Sequence, residues 1–409
     1  MPYQTQSNAY VAYKKQSGLG AQASGSGARV LRTTGGQYGR MTKAAVESNE
    51  VRRDGMRSRG RHGTQKSSGG YAAEASLALM DDIIEAVMRG AWATELVITQ
   101  ATASLASITT TTSTIVAGGG SWITAGLRVG DVVRLTNHST AANNDRNLRI
   151  VGLTATVMTV AETLTANAVA DTTFTITRTG RKLINPAAGA LVRPYFTIEE
   201  HEIDIDGSEI FTDCRFTSLS FRMQPNGLLT VDPGWVGTGK FETQSAGSAP
   251  FFTTPTEPTG VPLSVADATI RMGSTDLVDL TSLDLTLDIG GNAPDVIASK
   301  FSPDVFDGQM AVSMNLTALR QDLLRVADYL NETVLSLHIF APENEAEPKD
   351  FLSIYVPNFS LGSVDKSALA KEGGARTQTF SIPAALVGKD DTGGAFDPTM
   401  VKFQISNAS

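Results

Sequence analysis

Two stretches of this chain alternate strictly between apolar and polar residues. Leu283, Leu285, Leu287 and Ile289 are separated by Asp284, Thr286 and Asp288, and Leu219, Phe221 and Met223 alternate with Ser218, Ser220 and Arg222. A period of two belongs to a β-strand with one buried face, and a slip of one residue would turn the whole apolar set to water. The chain therefore has to build sheets that are dry on one side and wet on the other. The 38 glycines among 409 residues, with abundant Ser, Thr and Ala, agree with a turn-rich β protein. That length predicts two or three domains. No run of eighteen apolar residues occurs, so no membrane-spanning helix and no membrane partner is expected. The opening MPYQTQSNAYVAYKK lacks the apolar core of a secretion signal, which predicts that the protein stays in the compartment where it is made. One cysteine, Cys214, excludes an internal disulfide framework. With four histidines it leaves little for a soft-metal site, and neither metal nor cofactor is expected.

Composition and punctuation divide the chain. Residues 1–28 are polar and aperiodic and read as an N-terminal arm. From Arg29 the pattern becomes β-like through RVLRTTG and AVESNEVRR, followed by a Gly-rich basic stretch to Gly70. A helix is expected next, with Ser76 as N-cap, Leu77, Met80, Ile84 and Val87 on one stripe, and Gly90 as its stop. Residues 95–192 are rich in Thr, Ala and Val and read as an inserted small all-β domain. Strands resume with FTIEEHEIDI and FTSLSFRMQP, so the first unit spans 29–94 and 193–241. A Pro/Thr-rich linker is read over 242–263 and a second unit over 264–409, with a C-terminal arm. Within it a helix is expected near 316–330, capped by Asn315. Both units show strands, one helix, then strands. The fold class is thus mainly β: two tandem units, each with one flanking helix, plus the insert.

Enzymatic signatures are missing. GWVGTGK, Gly234–Lys240, has phosphate-loop spacing, but Phe241 replaces the Ser or Thr that binds magnesium and Pro233 interrupts the lead-in strand; a loop with turn glycines is the reading. Asp204, Asp206 and Gly207 form only part of a calcium loop, and with Glu200 and Glu202 the aspartates fall at period two on a strand. His201 among these acids lacks a catalytic partner and reads as a solvated strand residue, and Cys214 as a packed one. Charge is more informative. Residues 1–74 carry twelve Lys and Arg against four acids, a net +8, which leaves −16 on the remainder. Arg52, Arg53, Arg57, Arg59, Arg61 and Lys66 concentrate that positive charge. Arginines bind phosphates, but the stretch has no aromatics for base stacking. Docking on the carboxylates of a neighbouring copy is the favoured reading. Nucleic-acid binding by the basic region is the alternative.

QSGLG, RVLRTTGG, VESNEVRRD, EAVMRGAW and the run FTIEEHEIDIDGSEIFTDCRFTSLSFRMQPNGLLTVDPGWVG resemble siphophage major tail tube proteins. The likeness covers most of 16–94 and 193–260, and more loosely the chain to about 390. It implies a β-sandwich flanked by a helix, and rings whose inner sheets join into a barrel around a DNA channel. The ring is expected to hold three tandem chains in pseudo-sixfold symmetry, with hexamers the alternative. It further implies tape measure protein and DNA in the lumen, terminator and tip proteins at the ends, and assembly in the host bacterial cytoplasm. A tail terminator, a contractile-tail tube or a decoration protein are the rival virion roles. Arg52, Arg53, Arg57, Arg59, Arg61 and Lys66 are then the candidates for contact between rings. Glu200, Glu202, Asp204, Asp284 and Asp288 are the candidates to face the lumen, since a conduit must pass a polyanion without holding it.

Overall fold

Strand-forming sequence dominates the chain, and the computed structural model is mainly β, with three antiparallel sheets and two α-helices among the described residues. Those residues are 3–36, 38–245, 247–344, 346–371, 373–388 and 394–406, so the first two residues of the arm and the last three of the chain lie outside them. In chain order the main elements are β1 (Arg40–Val46), β2 (Arg61–Gly70), α1 (Asp81–Met88), β3 (Phe196–Glu202), β4 (Gly207–Met223), β5 (Thr230–Gln244), β6 (Leu280–Asp288) and β7 (Ala311–Leu319). They continue with α2 (Leu324–Leu330), β8 (Leu335–Pro342), β9 (Phe351–Phe359), β10 (Ser363–Lys366) and β11 (Thr377–Ile382).

The largest sheet carries the ladder β1-β2-β5-β4-β6-β7-β11-β10. The alternating sequences set its register. Leu283, Leu285 and Leu287 lie opposite Met223, Phe221 and Leu219, so the apolar rows of both strands fall on one face. That face meets a second sheet built from Arg181–Ile184, Lys402–Ser406, β9, β8, Thr269–Met272 and Thr275–Leu277. Phe221 and Phe403 touch across the gap with ring centroids 5.8 Å apart, and both sheets contribute to one continuous core that also takes in α1. Strands between Leu96 and Arg178 form a third sheet with its own core around Trp122 and Phe174. The N-terminal segment adds a strand, Ala9–Lys15, to β3 and buries Val11, Ala12 and Tyr13. It is too polar to fold alone, and a partner strand supplies what it lacks.

The pairings occur in the same order twice. The hairpin β1-β2 is followed by α1, the hairpin β3-β4 and then β5, which pairs with β2 and β4. The hairpin β6-β7 is followed by α2, the hairpin β8-β9, and β10-β11, where β11 pairs with β7 and β10. The two sets join where β4 pairs with β6.

Several local expectations are corrected. α1 starts at Asp81 after Met80 instead of Ser76, because Ser76 is still in an extended bridge to Pro262 and its hydroxyl accepts from Arg32. The helix expected over 316–330 begins only at Leu324. Val312, Met314, Leu316 and Ala318 are buried at period two and pair with neighbouring strands, so a strand takes the first part of that segment. Residues 47–53, expected as a strand, belong to the connection between β1 and β2. GWVGTGK is not a loop but the middle of β5. Its glycines make close sheet contacts feasible: a Cβ on Gly234 or Gly237 would come within 2.4 Å of the hydroxyl of Ser218 or Ser67. The expected strand through 205 ends at Glu202.

The polar sheet face and its open edges

Residues not used by the core line the opposite face of the ladder in cross-strand rows. Gly234, Ser218, Asp288 and Ala311 form one, and Asp232, Ser220, Thr286 and Ser313 the next. Thr230, Arg222, Asp284, Asn315, Ser381 and Ser363 form a third, with Thr317, Thr379 and Asp365 beyond it. Small hydroxyl residues hydrogen-bond along the rows, Ser220 with Thr286 at 3.0 Å and Thr317 with Thr379 at 3.1 Å. Arg222 lies between two carboxylates, 3.4 Å from Asp232 and 3.7 Å from Asp284. Nearer the β1 end the same face also carries Arg40 and Lys66, whereas the rows above present Asp232, Asp284, Asp288 and Asp365 against one partly neutralised arginine. Such a surface is wet, short in side chain and acidic, and it disfavours adhesion of phosphates.

Asp284 and Asp288 stand on this face, as their alternation predicts. Glu200 does not. It shares the row of Phe196 and Ile198 and turns to the core side, where its Oε1 accepts from the Gly39 amide at 2.6 Å and the Tyr71 hydroxyl at 2.7 Å. Burial pushes its pKa up to about 7, against the two hydrogen bonds that lower it. Glu202 ends β3, half-buried, and Asp204 lies in the turn beyond, held by the Thr5 amide and the Asn8 side chain, which depress its pKa. The sequence shows the period but not that a core row can end in a glutamate. The residues that fill the polar face in the first set, Ser218, Ser220, Arg222 and Asp232, are signalled by the alternation of Leu219, Phe221, Val231 and Trp235. His201, expected to be solvated, is buried, bonded to Ser208 at 2.9 Å and against the Tyr10 ring. Cys214 is fully buried, and burial pushes its thiol well above the usual range.

Both ends of the ladder are open. β1 and β10 each have one partner strand among the described residues, which leaves a row of backbone donors and acceptors on the outer side of each. The basic cluster is an extension of the β1 end. Arg61 and Lys66 are on β2, while Arg52, Arg53, Arg57 and Arg59 are in the connection 47–60. Arg52 pairs with Asp54, Arg57 with Glu47 at 3.7 Å, and Lys66 with Asp295 at 3.3 Å. Arg53, Arg59 and Arg61 have no ion pair among the described residues.

A mainly β chain with a polar, acidic sheet face and two unpaired edges suits assembly into a lined conduit, and comparison with protein families agrees. The profile of the phage tail tube protein family matches residues 6–384. The chain belongs to that family. A phage tail tube protein is a structural component of the virion tail, and the match runs over nearly the whole of this chain. Comparison with curated proteins finds no match to the chain. No helix among the described residues is long and apolar enough to cross a membrane.

Proposed function

We propose that this tail tube protein is the major subunit of a siphophage tail tube, assembled as stacked rings of three chains. In that ring the two sets of strands in each chain act as tandem units, giving six in all. The observation that carries the reading is the polar ladder with an open edge at each end. The pairing of β4 with β6 is the pattern for the joint between units, and the same kind of joint between β10 of one copy and β1 of another extends the sheet across the subunit boundary. The two edges are different surfaces, so the contact is head-to-tail and ends in a closed ring when the rotation per chain divides a full turn. Closure removes the edges and leaves Asp232, Asp284, Asp288 and Asp365 facing the lumen, where DNA and tape measure protein pass. The sheet of residues 96–178, with its separate core, is an inserted domain on the outside. The basic cluster at 52–66 contacts the acidic body of another copy, and terminator and tip proteins bind the two ends of the tube. Assembly takes place in the host cytoplasm.

Electron microscopy of the purified chain, concentrated at moderate salt, tests this. Hollow striated filaments with threefold top views are expected. Uniform globular particles at every concentration, or filaments without a central channel, overturn it.

A further inference from the structure

α1 and α2 hold matching places in the two sets of strands, yet only α1 is covered. Ile83, Ile84, Ala86, Val87 and Met88 of α1 are buried, packed against β4. No residue of α2 is buried. Leu324 is 52 % exposed, Leu330 73 % and, beside the helix, Leu323 64 % and Val334 50 %. An apolar helix face of this kind implies an absent partner.

The chain itself shows what seals the matching place. Where β6 pairs with β4, the connection that follows β6, residues 289–310, folds back over the end of α1. Its Asp307 accepts from Arg89, the C-cap of α1, at 2.7 Å and from Arg215 of β4 at 3.0 Å. Arg193 lies 3.2 Å away, Val305 is buried, and Met310 enters the core. The counterpart of that connection in the first set is 47–60, between β1 and β2. It is exposed almost throughout, with Val51 99 % and Met56 63 % open. Several of its polar contacts are internal, such as Arg52 with Asp54 and Ser58 with Glu50.

We infer that the 47–60 connection of one copy docks on α2 of the next copy. This rests on the ring reading above. Pairing of β1 beyond β10 brings the connection to α2, as pairing of β6 beyond β4 brings residues 289–310 to α1. The charges are exchanged but complementary. Within the chain a carboxylate seats among arginines; between chains the arginines Arg52, Arg53, Arg57 and Arg59 meet Asp322 and Glu332 beside α2, whose Asp328 is already paired with Arg325 at 2.9 Å. Val51 and Met56 cover the open leucines. The basic cluster then contacts the lateral neighbour in the same ring, in place of the contact between rings that the family resemblance implies.

The test uses the full chain, whose Cys214 is buried and inert. Val51→Cys and Leu330→Cys proteins are mixed, assembled and treated with a short bismaleimide, with Thr42→Cys and Asp365→Cys as a second pair across the strand seam. A covalent heterodimer is expected from each pair. Leu323→Asp with Leu330→Asp, at exposed positions, is expected to keep the wild-type circular dichroism and lower filament yield by at least about tenfold. A seam pair that cross-links while Val51 and Leu330 do not, or an aspartate variant that forms filaments at wild-type yield, overturns this contact and leaves the ring standing. A wild-type chain that never associates removes both.

Discussion

Glu200 is the residue whose chemistry departs most from its sequence context. Its neighbours Glu199, Glu202 and Glu209 make the region look like solvated acidic strand, yet Glu200 is turned to the core side and its pKa lies near 7 instead of 4.5. A carboxyl that holds its proton more tightly when folded contributes stability that is fully present below about pH 4.5. That contribution is lost as pH rises through about 7. The shift sets an upper limit of about 3 kcal/mol. Urea denaturation at pH 5 and pH 8 should therefore show wild type losing stability relative to Glu200→Gln, which keeps an acceptor for Gly39 and Tyr71 and carries no charge at either pH. Equal pH dependence in the two proteins would refute the buried, proton-holding glutamate.

Matching elements are held with unequal strength, and this is measurable in the dilute chain. Ile84 is fully buried between α1 and the core, so Ile84→Ala should lower unfolding free energy by about 3 kcal/mol. Leu330 is largely exposed on α2, and Leu330→Ala should change it by no more than about 0.5 kcal/mol. Denaturant midpoints of the two variants check this directly; similar losses would mean that α2 is covered in the monomer. The same contrast explains the misread second helix. Leu316 satisfies a helical stripe and a strand alternation equally well, and its pairing with Leu283 and Phe380 decides for the strand.

At the scale of the whole molecule, the sheet of residues 96–178 is fastened to the sheet that contains Arg181–Ile184 and Lys402–Ser406 by buried charge. Lys402 donates to Asp131 and Asp397, both at 2.8 Å, and Lys182 lies 3.1 Å from Asp397. Burial lowers the pKa of Lys182, whereas at Lys402 the two carboxylates more than offset burial and raise it. Gln404 adds a neutral clasp, accepting from the Val132 amide and donating to its carbonyl. Asp131→Ala removes one carboxylate shared by both lysines and should destabilise the chain by about 3 kcal/mol or more, because buried ammonium groups are left under-paired. Unfolding monitored by Trp fluorescence would show it; an unchanged midpoint would mean that the two sheets are not joined through these charges.

The sequence by itself determined the class of fold and the two faces of the central ladder. Alternation at Leu219–Met223 and Leu283–Ile289 is a local property, because a strand's side chains alternate whatever lies next to them, and Asp284 and Asp288 were legible as residues of the wet face for that reason. The helix around Ile84 was legible from its stripe, although its start was not, since Ser76 is claimed by a bridge to Pro262 from far along the chain. Tertiary structure decided everything that depends on a partner strand. It carried β5 straight through GWVGTGK, turned Glu200 to the core side and buried His201 on the opposite face of β3, gave the polar N-terminal segment a strand to pair with, and left β1 and β10 with one partner strand each among the described residues and the leucines of α2 exposed. Pairing across hundreds of residues is set by the fit of whole surfaces, and no period within a single stretch records it.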